Sequence, residues 1–182
     1  MGLIKKLILK TPWLTADFIT TTRLISSIPL FIFVLQRRYS IALFIFIVMS
    51  LTDVLDGYVA RLKNSAKTEG TIFDAITDMI FIAPSFFILG FKFLDPKIVL
   101  TLAGLEILRG LLMLIGKLSK FPFKIRANLP GKIKAWFEGL GLAFLLLNPF
   151  VFAPLASWLF IIAIILAFGG VALHLYRSLQ RK

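Results

Sequence analysis

Cysteine is absent from the 182 residues, which excludes disulfides, zinc–thiolate centres, iron–sulfur clusters and cysteine nucleophiles, and with them any thiol redox function. Charge is scarce too. Only 16% of residues are Asp, Glu, Lys or Arg, and the acids number nine against 21 Lys and Arg. No small-residue cleavage site follows the first apolar stretch, so no removable signal peptide is expected. The longest polar break, about 117–132 with Pro122, Pro130 and Gly131, is too short to form a domain, and no internal repeat or low-complexity tract is evident. A single domain over residues 1–182 is expected.

Hydrophobic residues make up 59% of the chain, against about 45–50% apolar residues in a soluble globule. The excess gathers into runs near 20 residues, the length that crosses ~30 Å of hydrocarbon at 1.5 Å per residue. Six such stretches lie at roughly 18–35, 40–60, 71–92, 98–116, 133–152 and 155–176. Ahead of them, Gly2 to Trp13 mixes Leu and Ile with Lys5, Lys6 and Lys10, a pattern suited to a helix lying in the headgroup region. The expected fold is therefore an all-α integral membrane protein: an amphipathic interfacial helix over 1–14, then a bundle of six transmembrane helices over 15–178.

Lys and Arg gather in cytoplasmic loops. With the N-terminus inside, fifteen basic residues fall on the cytoplasmic side, including Arg61, Lys63, Lys67, Lys117, Lys120, Lys124, Arg126, Lys132 and Lys134, against Arg37, Arg38, Lys92 and Lys97 opposite. Both termini are expected in the cytoplasm. The net charge of +12 then follows from topology, and no basic domain separates from the spans to suggest a nucleic-acid partner. His174, beside Tyr176 and Arg177 near the end of the last span, reads as an interfacial residue rather than a base, and the 19 phenylalanines as lipid-facing and packing residues.

A charged group at the centre of a membrane helix costs at least ~2.5–3.5 kcal/mol, so intramembrane acids point to function. Asp53, Asp56, Asp74 and Asp78 fall within 26 residues, at the adjoining ends of the second and third spans. Asp53, Asp56, Gly57 and Ala60 occupy i, i+3, i+4 and i+7, and Gly70, Asp74 and Asp78 occupy i, i+4 and i+8, each set one helical face. A short connection makes the two helices antiparallel neighbours, so the carboxylates converge near the cytoplasmic boundary. Hard divalent cations bind such oxygens and cancel their charge, which suggests a two-metal site. Gly57, Ala60 and Gly70 leave room for a bulky ligand, although small residues also let membrane helices pack closely. Ion translocation is the competing reading of buried acids, and a lipid-binding scaffold without catalysis is a third.

The segment Asp53-Val-Leu-Asp56-Gly57-Tyr-Val-Ala60-Arg61, eight residues, then Gly70-Thr-Ile-Phe-Asp74-Ala-Ile-Thr-Asp78 resembles the signature of the CDP-alcohol phosphatidyltransferases at all eight fixed positions. The resemblance implies a Mg²⁺- or Mn²⁺-dependent membrane enzyme using two divalent cations. Such an enzyme transfers the phosphatidyl group of a CDP-linked lipid such as CDP-diacylglycerol to an alcohol and releases CMP. It implies Asp53, Asp56 and Asp74 as metal ligands, and Asp78 as the catalytic base that also touches a metal. Gly57, Ala60, Arg61 and Gly70, with Thr20, would receive the nucleotide, on the cytoplasmic side. A homodimer is expected on the same ground.

The acceptor is read from other segments. Phe18-Ile-Thr20-Thr-Thr-Arg23-Leu24 and Gly131-Lys132-Ile133-Lys134 look like segments of the family members that use glycerol 3-phosphate, whereas Asp17, Ala75, Met79 and Leu105 depart from them. A phosphorylated acceptor needs cationic donors, and Arg109, Arg126, Lys132 and Lys134 are the candidates. Phosphatidylglycerol, inositol phosphate and serine are the alternative acceptors. Glu106, inside the fourth span, calls for neutralisation by Arg23 or Arg109, while Arg109 equally suits an acceptor phosphate.

Overall fold

The computed structural model describes residues 16–62, 83–118 and 129–179. Six helices and no strand occur among the described residues: α1 (Ala16–Leu35), α2 (Tyr39–Leu62), α3 (Ala83–Phe93), α4 (Pro96–Leu118), α5 (Leu129–Leu147) and α6 (Pro149–Leu179). The expected interfacial helix at 1–14 lies outside the described residues. The chain divides into two compact units, one ending at Ile88 and the other beginning at Leu89.

In the first unit, α1 packs along α2. Their junction is fixed by backbone bonding: Arg37 N donates to Val34 O at 3.0 Å and Arg38 N to Phe33 O at 2.9 Å. This pairing closes a helix C-terminus around one left-handed residue, here Arg37 with φ of 58°. The chain reverses within three residues, so the two helices run antiparallel. Their shared core is a helical stripe on each side, Ser27, Leu30 and Val34 against Ala42, Phe46 and Met49. The opposite faces stay apolar, with Ile25, Ile28 and Ile32 exposed on α1 and Phe44, Ile47 and Leu51 on α2. A helix that is apolar on every side suits hydrocarbon rather than water.

The second unit is built on α6, which packs against both α5 and α4. Val99, Leu102 and Leu105 supply the buried stripe of α4, Leu142, Leu145 and Leu146 that of α5, and Ala156, Phe160 and Ala163 that of α6. Two proline-headed turns set the helix starts. Asp95 Oδ1 accepts from Lys97 N at 2.8 Å ahead of α4, and Asn148 Oδ1 accepts from Phe150 N at 3.1 Å and Val151 N at 3.3 Å ahead of α6. In both, Pro96 or Pro149 takes the first helical position, where its missing N–H has no partner to lose. Aromatic pairs brace the turn at Asn148: Phe144 with Phe152 at 5.3 Å and Phe93 with Phe150 at 5.2 Å.

The last two boundaries differ from the sequence expectation. The break falls at Asn148 rather than near residues 153–154, because Asn148-Pro149 caps and starts α6 while Pro154 is carried inside it. Among the described residues, one helix is long and apolar enough to cross a membrane: Pro149–Ala172, 24 residues with mean hydropathy 2.5, of which only 17% is buried. Phe150, Trp158 and Ile165 are exposed along it. A soluble core helix is mostly buried, whereas the exposed apolar surface of this one suits lipid.

Gly141 gives the α5–α6 contact its closeness. A Cβ there would lie 2.8 Å from Phe160 Cζ, whereas one at Gly139 meets nothing within 4 Å. Phe160 is fully buried, so its ring must shift within packed surroundings to make room. Gly141→Ala is therefore expected to destabilise by about 1–2 kcal/mol, the overpacking strain exceeding the gain in helix propensity. Gly139→Ala, with the propensity gain alone, should hold or raise the Tm in detergent. Equal Tm values for the two variants would show that the α5–α6 contact is looser than this.

Candidate active site

α2 runs without interruption through Leu62, so the acidic motif begins on continuous helix. Asp53 and Asp56 stand one turn apart on its backbone, Gly57 follows in the next position, and Ala60 and Arg61 complete the stretch. Just before them, two hydroxyls bond to the helix itself: Ser50 Oγ donates to Phe46 O at 2.9 Å and Thr52 Oγ1 to Met49 O at 2.7 Å. The donor set the sequence provides at this end of α2 is thus carboxylate oxygen, the type hard divalent cations take. Gly70, Asp74 and Asp78 lie outside the described residues, as does Arg126. Thr20 stands on α1, Arg109 on α4 and Lys132 near the start of α5. Among the described residues, no three His, Cys, Asp or Glu side chains form a metal-binding group.

Lys134 is where the structure adds most. It is 3% exposed, and its ammonium donates to Glu106 of α4 while lying 3.2 Å from Glu138 Oε1, one turn further along α5. The Glu106 and Glu138 side chains remain 37% and 26% exposed. A buried ammonium needs such partners, because desolvating it alone costs several kcal/mol. The sequence reading placed Arg23 or Arg109 beside Glu106; the side chains of both lie outside the description, and among the described side chains Glu106 pairs with Lys134. The sequence reading also did not link Lys134 to Glu138. The signal was available in their i, i+4 spacing, whereas Glu106 is 28 residues away and only the packing of separate helices brings it in.

A helical protein with exposed apolar helix faces and a carboxylate motif in its sequence suits a membrane-associated protein. The family model for CDP-alcohol phosphatidyltransferase matches residues 13–169, most of the sequence, and the chain belongs to this family. A CDP-diacylglycerol--glycerol-3-phosphate 3-phosphatidyltransferase of Aquifex aeolicus (strain VF5) is 31% identical over 133 residues, covering 69% of this chain and 71% of the relative. One of the same name from Bacillus subtilis (strain 168) is 30% identical over 123 residues, covering 63% of this chain and 62% of the relative. No solved structure matches. Nothing in these similarities favours ion translocation.

Proposed function

We propose that this protein transfers the phosphatidyl group of CDP-diacylglycerol to glycerol 3-phosphate and releases CMP, a step of phospholipid synthesis. The observation that carries this reading is the complete eight-position motif from Asp53 to Asp78, in a chain matched by the family model over residues 13–169. The names of the two relatives support the choice of both substrates.

Asp53, Asp56, Asp74 and Asp78 would hold two divalent cations, Mg²⁺ or Mn²⁺; an all-carboxylate donor set fits these hard ions. When bound, they neutralise the pyrophosphate and polarise the phosphorus under attack. Gly57, Ala60 and Gly70 keep the motif faces free of bulk so that the nucleotide lies close to the backbone, with Arg61 and Thr20 beside it. Asp78 accepts the proton of the acceptor hydroxyl as its oxygen bonds to phosphorus and the bond to CMP breaks. Arg109, Arg126, Lys132 and Lys134 receive the acceptor phosphate, whose oxygens take several charge-assisted bonds at once.

The chain is read as one multi-pass membrane domain with six spans and both termini in the cytoplasm. The basic residues on that side support this orientation, and the exposed apolar faces of α1, α2 and α6 support the bilayer setting. Homodimerisation rests on the family resemblance.

The test is purified protein in detergent with Mg²⁺ and CDP-diacylglycerol, offered glycerol 3-phosphate, inositol phosphate, serine and phosphatidylglycerol separately, with CMP and lipid product measured. Glycerol 3-phosphate is expected to be preferred. Preference for serine or phosphatidylglycerol would refute a soluble phosphorylated acceptor, and absence of CMP with every acceptor would refute the transfer reaction. Among variants, Arg109→Ala, Arg126→Ala and Lys132→Ala should each raise the acceptor KM about tenfold or more, as loss of a charge-assisted bond worth about 1.5–3 kcal/mol requires. The KM for CDP-diacylglycerol should stay near its wild-type value. Unchanged acceptor KM in all three would return these cations to a purely topological role.

A further inference from the structure

We propose that Glu106 determines acceptor specificity: its carboxylate accepts a hydrogen bond from the non-reacting hydroxyl of the acceptor. The inference rests on the reading that the acceptor is glycerol 3-phosphate and that Arg109 receives its phosphate. Glu106 stands one turn before Arg109 on α4, and its Oε1 accepts from the buried Lys134 of α5.

An ionised carboxylate has two oxygens and about four acceptor sites, and the Lys134 bond fills one of them. The Glu106 side chain is 37% exposed. An acid within a membrane span turns its exposed part toward a polar space rather than toward hydrocarbon. The helical face that Glu106 shares with Ala103 and Gly110, at i−3 and i+4, is kept clear of bulk, and a Cβ at Gly110 would meet nothing within 4 Å. A carboxylate oxygen therefore lies beside open space. Its direction is set by the bond to Lys134, which ties the carboxylate to a second helix, and such a fixed group is what recognition of a single hydroxyl requires.

Glycerol 3-phosphate carries two hydroxyls. The primary one attacks phosphorus and yields its proton to Asp78, while the secondary one sits between the reacting carbon and the carbon bearing the phosphate. The secondary hydroxyl has a proton to donate, which Lys and Arg cannot accept and a carboxylate can. With its phosphate held by Arg109 and its secondary hydroxyl by Glu106, the acceptor is fixed at two points, and the primary hydroxyl is the one presented for reaction.

The probe is 3-hydroxypropyl phosphate, which keeps the phosphate and the reacting hydroxyl and lacks the secondary one. In wild type, kcat/KM for glycerol 3-phosphate should exceed that for the analogue by about ten- to a hundredfold, the loss expected for one hydrogen bond to a charged group. In Glu106→Ala this ratio should fall to near one, and in Glu106→Gln, whose neutral oxygen is the weaker acceptor, to an intermediate value. Intrinsic reactivity differences between the two acceptors are common to all variants and cancel. A merely structural role for Glu106 would lower kcat/KM for both acceptors together and leave the ratio alone.

A wild-type enzyme that uses both phosphates equally well overturns this inference and leaves the proposed acceptor standing; one that uses neither overturns both. A wild-type ratio in folded Glu106→Ala, with folding read from Tm in detergent, also overturns it. Should Glu106→Ala not fold, Glu106→Gln decides: a ratio lowered by about threefold or more supports the hydroxyl contact, and any smaller change overturns it.

Discussion

Asp78→Asn is expected to cut CMP release at saturating substrate by about two to four orders of magnitude, the range a positioned general base contributes. The amide keeps the shape of the side chain and cannot accept the acceptor proton, so the loss should fall on kcat while CDP-diacylglycerol binding stays largely intact. Asp56→Asn is the contrast. In the proposed site Asp56 is a metal ligand, so its loss should weaken cation binding and CDP-lipid binding together. Equilibrium binding of labelled CDP-diacylglycerol to each variant, measured beside turnover, separates the two roles. Near wild-type turnover in Asp78→Asn would show that another group takes the proton. Loss of CDP-lipid binding in Asp78→Asn, matching that of Asp56→Asn, would make Asp78 a metal ligand without a separate role as base.

These assignments come from the resemblance of the motif to the family signature, and the spacing that carries it was the most legible part of this sequence. The repeats at i, i+3, i+4 and i+7 that put Asp53, Asp56, Gly57 and Ala60 on one helical face are local, and α2 runs helical through all of them. The long apolar runs foretold the helices for a related reason, since apolar length is a property of a single segment. Two features were harder to read. The start of α6 hinges on a single side chain, Asn148, capping Phe150 and Val151, while Pro154 offered an equally plausible break a few residues later. The partner of Glu106 depended on which helices pack together, and one sequence does not encode that choice in any local pattern. Lys134 looked like one more cytoplasmic cation until the fold enclosed it between two carboxylates. The sequence reading thus located residue types and helical faces, and the tertiary packing decided their pairing.

Chelation by EDTA is expected to abolish turnover, and added Mg²⁺ or Mn²⁺ to restore it. The argument starts from charge. Asp53, Asp56, Asp74 and Asp78 bring four carboxylates into one motif, and the donor substrate adds an anionic pyrophosphate. Two unit charges of like sign 4 Å apart repel by about 4 kcal/mol at the effective dielectric typical of pairs near a protein surface. Several such pairs would exceed the free energy that binds a substrate at micromolar concentration, about 8 kcal/mol, so the lipid donor should fail to bind at all without cations. The expected signature is therefore a loss of CDP-diacylglycerol binding as well as of CMP release. Monovalent salt at matched ionic strength should not substitute, because screening weakens repulsion over distances near a Debye length but cannot bridge two oxygens in contact. Gly141→Ala provides a control: a variant that is less stable yet folded should show the same cation requirement as wild type. Full turnover in a metal-free, chelated preparation would overturn the two-cation site and would require the four aspartates to be neutralised by protons or by neighbouring Arg and Lys instead.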